Sequence, residues 1–134
     1  MITLPAVLER NRACNREKEI QYRRGDVFLA DLSFVVGAEQ GGSNKPVLII
    51  QNEIGNRFSP TVIVCVLTSR VKKEQVTHVC LDAKKNGLDR NSIALLEQIR
   101  TIDKKRLINK VAQISKEDML KVDNALMASL GIIY

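Results

Sequence analysis

Lys45 stands directly before Pro46, at the end of the ten-residue run GAEQGGSNKP (37–46), and Thr68 closes the apolar run TVIVCVLT (61–68). An ammonium and a hydroxyl at two strand ends can together grip a phosphate, the cation through charge-assisted donors and the hydroxyl through one more. Pro46 biases Lys45 toward extended backbone. Lacking an N–H, it is tolerated where a strand begins. Lys45 therefore reads as standing just before a strand. Asp31 ends the strand before it, and Glu39, Gln40, Gly41 and Gly42 fill a flexible loop between the two. A loop of this length is uncommon in a small domain and is often functional. The competing reading is a solvated hairpin loop.

Other chemistries find little support. His78 is the only histidine, so a paired-histidine ribonuclease and a Ser-His-Asp hydrolase lack their mobile base. Beside Val79 in an apolar run, His78 reads as a partly buried structural residue. GAEQGGSNKP lacks the order of a phosphate-binding P-loop and precedes a strand, not a helix. No cluster of His, Cys and carboxylates has metal-ligand spacing, and no cofactor is implied. Cys14, Cys65 and Cys80 are odd in number and form no C-x-x-C, which argues against a disulfide framework and a zinc site. Cys65 and Cys80 read as small core residues, fitting a reducing, cytoplasmic setting. No apolar stretch approaches the roughly 20 residues of a membrane span, and Leu4–Leu8 is too short for a signal-peptide core.

The elements that must position the site are legible in outline. The 134 residues suit one domain with one core, and 45% are hydrophobic. Lys and Arg number 21 against 15 acidic residues, a surplus of +6 that suits a polyanion partner. Residues 1–24 hold six basic and three acidic side chains, half of that surplus. Residues 1–21 read as a basic N-terminal extension, flexible or helical, outside the core. Short β-like runs follow: 27–32, 47–52, 61–68, 77–81, 92–99 and 110–114, the pattern of a small barrel or sandwich. The continuous β-branched run 61–68 predicts a central strand covered on both faces. IGNRFSP (54–60) reads as a loop, and Asn86-Gly87 as a turn. Ser115 predicts a helix N-cap with Asp118 in a near capping box. Met119, Val122, Leu126 and Leu130 then recur at helical spacing, with Gly131 to end an amphipathic C-terminal helix.

The segments RRGDVFLADLS (23–33), GAEQGG (37–42), KPVLIIQNEIGNRFSPTVIVCVLTS (45–69), THV (77–79) and LLEQIRTIDKKRL (95–107) closely resemble the MazF/PemK/Kid family of toxin–antitoxin endoribonucleases. The likeness spans residues 22 to about 130 and is strongest to the Gram-positive branch. It implies a mostly β, α+β fold: an SH3-like small barrel with short helices, in a toxin domain over residues 22–134. It also implies a homodimer and metal-independent, sequence-specific cleavage of single-stranded RNA. In that reaction the ribose 2′-OH attacks the adjacent phosphate and leaves a 2′,3′-cyclic phosphate and a 5′-OH. A small antitoxin, whose disordered tail occupies the RNA groove and folds on binding, would inhibit it.

Carried over residue by residue, the resemblance makes Lys45, Thr68 and Glu39 the catalytic set. Ser92, Glu97 and Gln98 match positions lining the base-reading groove, while Gln40, Ser69 and His78 complete the expected RNA contacts. Asn52, Asn56 and Arg57 would lie in a loop beside the groove. Two departures stand out. The family usually has arginine where Lys45 stands, and the stretch between EQGG and that residue is one longer here. Phe34 also replaces a common proline, and the loop after Thr68 is one residue shorter. Arginine's planar fork grips two phosphate oxygens at once, whereas lysine is a point charge. Lysine is the better proton donor, its ordinary pKa of about 10.4 lying far below arginine's. The alternatives are a catalytically weakened or inactive homologue that binds RNA or antitoxin, and a topoisomerase poison on the same fold.

Overall fold

A computed structural model describes residues 20–33, 35–37, 41–70 and 73–133. The expected basic extension (1–19 of it), Cys14, Phe34, Glu39 and Gln40 lie outside the described residues. The elements run β1 (Asp26–Leu32), β2 (Gly42–Ile49), α1 (Glu53–Phe58), β3 (Thr61–Thr68), β4 (His78–Leu81), α2 (Ala83–Asn86), β5 (Ser92–Asp103), a 3-10 turn (Lys104–Arg106), β6 (Leu107–Gln113) and α3 (Lys116–Ser129). The strands form one antiparallel sheet in the order β4-β5-β3-β2-β1-β6. This is the α+β, mostly β architecture that the resemblance implies.

Alternation along β3 explains why the sheet has two apolar faces. Cys65 and Leu67 join a cluster with Val122 and Ala125 of α3, while Val62, Val64 and Val66 join a second with Phe28 and Val47. Side chains two apart share a face, so a run of uninterrupted apolar residues is what a strand buried on both sides requires. α3 is fastened at its middle and at its C-terminal end. Arg24 donates to Asp123 at 2.7 Å and to the Ile50 carbonyl at 2.9 Å. The Ser129 hydroxyl donates to the Leu96 carbonyl at 2.7 Å.

Four expectations change. Residues 54–60 are not simply a loop: Glu53–Phe58 is helical because the Asn52 side chain accepts the Gly55 N–H at 2.8 Å and caps the first turn. β2 begins at Gly42, so Lys45 lies inside the strand, paired with Ala30, and not ahead of it. Cys80 is exposed, because Val79 and Leu81 take the inward positions of β4. Ser115 caps α3 by accepting the Asp118 N–H, but no capping box closes: the Ser115 N–H donates to Asn86 Oδ1 at 2.9 Å instead.

The Asp118 carboxylate is thereby freed to accept from Asn86 Nδ2 at 2.9 Å and Lys85 Nζ at 3.3 Å. Burial pushes its pKa up, but these hydrogen bonds and the charges of Lys85 and Lys121 outweigh it, so the net shift is downward. A carboxyl held below its ordinary value stabilises the fold above about pH 4, and that contribution is lost as pH falls through the lowered value. Asp118→Asn is therefore expected to lose less stability than the native chain between pH 7 and pH 2.5, read from urea midpoints. An equal loss would remove Asp118 as a source of acid sensitivity.

Candidate functional site

The β2–β3 ladder runs Ile49↔Val64, Leu48↔Cys65, Val47↔Val66. Two residues further along each strand stand Lys45 and Thr68, on the same face by the two-residue period. Thr68 pairs with Ile93, and Ile93 with Cys80. The next row contains Val47, Val66, Leu95 and His78, since Val66 pairs with Leu95 and Leu95 with His78. Two adjacent rows of one sheet face thus gather Lys45, Thr68, Cys80 and His78.

Lys45 is half-buried, and its ammonium has no ion-pair partner among the described residues. Thr68 is 3% exposed, and its Oγ1 accepts the Arg70 N–H at 3.2 Å. That bond uses a lone pair and leaves the hydroxyl proton to donate. His78 Nε2 lies 2.9 Å from Glu97 Oε2, its Nδ1 is buried without a partner, and its side chain is 6% exposed. Glu97 stands two residues beyond Leu95, the partner of His78, and so is its diagonal neighbour on the same face; against β3 the strand bulges here, with Val66 paired to Leu95 but Cys65 to Ile99. Ser92 donates to the Arg90 carbonyl, Ser69 is exposed, and Gln98 is half-buried and hydrogen-bonded or otherwise engaged. Asp31, held low by its hydrogen bonds with Ser33, is turned onto that residue.

Asn52, Asn56 and Arg57 fall elsewhere. They follow the end of β2 remote from Lys45, at the start of β3. Seven strand steps separate Thr61 from Thr68, roughly 23 Å at about 3.3 Å per residue. Asn52 caps α1 and Arg57 stacks on Phe58 at 5.8 Å. Asn56 is 1% exposed, with Nδ2 donating to the Gln51 carbonyl at 2.9 Å and Oδ1 accepting from Gln51 Nε2 at 3.4 Å. Within one chain these three are not beside Lys45 and Thr68. The reason is topological, since a hairpin places its connection at the opposite end from its open strands.

Sequence reading passed over Cys80 and Arg70. Both line a groove of about 900 Å³ that also takes in His78, Ser69, Ser92 and Lys121. Strict alternation in HVCL would have found Cys80, because two buried residues leave His78 and Cys80 on the other face. Burial pushes the Cys65 thiol up to about 12, whereas Cys80 is exposed. Iodoacetamide on the folded chain is therefore expected to label the Cys80 peptide while sparing Cys65, as read by peptide mass mapping. Labelling of Cys65 at a comparable rate would contradict the packing of β3.

Residues 23–130 match the PemK-like, MazF-like toxins of type II toxin–antitoxin systems. The chain is 58% identical over 112 residues to the endoribonuclease EndoA of Bacillus subtilis strain 168, covering 83% of this chain and 96% of that protein. A MazF crystal structure from Deinococcus radiodurans superposes with a TM-score of 0.73 at 23% identity, over 84% of this chain and 99% of its own. A mycobacterial endoribonuclease solved with its cognate antitoxin gives a TM-score of 0.71 at 24% identity, over 84% and 98%. At these identities the two structures speak for a shared fold.

Proposed function

Since the chain belongs to the PemK-like, MazF-like toxin family of type II toxin–antitoxin systems, we propose that it is an endoribonuclease toxin whose cleavage site is the Lys45–Thr68 end of the sheet. The observation that carries the reading is the placement of half-buried Lys45 and the Thr68 hydroxyl on one face of adjoining strands. The working unit is residues 22–134. The substrate is single-stranded RNA, cut at a short sequence without a metal ion.

In the proposed step the ribose 2′ oxygen forms a bond to phosphorus as the bond from phosphorus to the 5′ oxygen breaks. The 2′-hydroxyl proton passes to a carboxylate, for which the resemblance supplies Glu39. The Thr68 hydroxyl donates to a non-bridging oxygen. Lys45 balances the charge that builds on the phosphorane and gives a proton to the departing 5′ oxygen. The products are a 2′,3′-cyclic phosphate and a 5′-OH. Ser69, His78, Ser92, Glu97 and Gln98 border the bases, with Gln40 completing the set. In a homodimer, Asn52 and Arg57 of one copy could reach RNA held by the other. A cognate antitoxin would fill the same groove in the cytoplasm.

The test is incubation of the purified chain with a long single-stranded RNA in EDTA. Fragments bearing 5′-OH and cyclic-phosphate ends at a recurring sequence are expected. RNA left intact at high enzyme concentration would sink the proposal and leave a binding module in its place.

A further inference from the structure

We propose that Gly42 is a positioning residue for Lys45: the missing side chain at Gly42 forms the seat on which the lysine stem lies. The inference rests on the reading of Lys45 as the phosphate-binding cation, but its first readouts are independent of cleavage. β1 pairs Ala30 with Lys45 and Leu32 with Gly42, so two steps on β1 are matched by three on β2. The extra residue lies at exposed Ser43–Asn44 and makes a β-bulge. Residues three apart on a regular strand point to opposite faces. One inserted residue cancels that offset and brings Gly42 beneath the Lys45 side chain.

The contact is close. A Cβ added at Gly42 would lie 3.3 Å from Lys45 Cγ, 3.5 Å from Cε and 3.9 Å from Cδ. Gly42 has φ +145, a conformation L side chains rarely adopt. Three methylenes of the stem therefore border the space that a side chain at Gly42 would take. A flexible four-carbon stem laid against a fixed surface has fewer rotamers to lose when its ammonium meets a phosphate. The glycine pair, read from sequence as loop flexibility, has at this position the opposite consequence.

The first test needs no variant. Lysine-labelled native protein is expected to show nuclear Overhauser contacts from Gly42 Hα to Lys45 Hγ and Hε. Their absence would overturn the proposal whether or not the chain cleaves RNA. In Gly42→Ala the Lys45 Cε/Hε signal should move toward the exposed lysines, while in Gly87→Ala it should stay. Gly87 has φ +68 and nothing within 4 Å of an added Cβ, so that variant carries backbone strain without the contact. In single-turnover cleavage, Gly42→Ala should lower the rate about tenfold with little change in half-saturating RNA, the pattern of a contact made in the transition state. Placed on Lys45→Ala, it should cost less than about twofold, because the residue through which it acts is gone. An equal loss in both backgrounds would assign Gly42 a purely structural role and overturn the positioning one.

Discussion

Lys45→Ala is expected to slow RNA cleavage by about 10²–10³-fold, the usual cost of removing one preorganised donor from developing oxyanion charge. The side chain is half-buried without an ionic partner among the described residues, so its loss leaves no buried charge behind and stability should stay within about 0.5 kcal/mol. Single-turnover rates at saturating enzyme, with urea denaturation alongside, check both halves. A loss under fivefold would remove Lys45 from the chemistry. Lys45→Arg, which restores the family residue, is expected to raise the rate about tenfold, since a planar fork can hold two phosphorane oxygens at once. A rate at or below that of the native chain would show lysine to be the fitted residue on this lengthened, bulged strand, where its proton outweighs the second contact.

Asn56→Ala is expected to destabilise the chain by about 2–3 kcal/mol while leaving the cleavage rate of the folded protein unchanged. Asn56 and Gln51 bind one another between α1 and the start of β3. Gln51 Oε1 accepts the Ile63 N–H and its Nε2 donates to the Thr61 carbonyl, each at 3.2 Å. Truncation orphans the Gln51 carbonyl and weakens the hold on that amide. Each unsatisfied buried polar group costs about 1–3 kcal/mol. Thermal denaturation should fall by roughly 10 °C, given about 3–5 °C per kcal/mol for a domain of this size. Unaltered stability with slower cleavage would return Asn56 to contact with RNA beside the groove, as the family resemblance implies.

The contrast between those two residues is the contrast between what each level of description fixes. The sequence by itself determined the central strand, because eight apolar and β-branched residues in a row suit only a strand buried on both faces, and β3 spans those residues. It determined the start of α3 through Ser115, and it marked Thr68 as the residue that ends β3. These are local matters of propensity, period and cap chemistry. It could not determine on which side of β2 a polar residue would end. Asn52, Asn56 and Arg57 follow Lys45 by only 7 to 12 positions, yet the strand between them carries them to the opposite end of the hairpin. Alternation in HVCL sets Cys80 on the face opposite Val79 and Leu81, but which of those faces is covered is decided by what packs on each. Nor could the sequence show that Gly42 belongs to a strand and supports Lys45, because a bulge exists only in the pairing of two strands. Register and burial arise from contacts distant along the chain, and those contacts exist only once the sheet has formed.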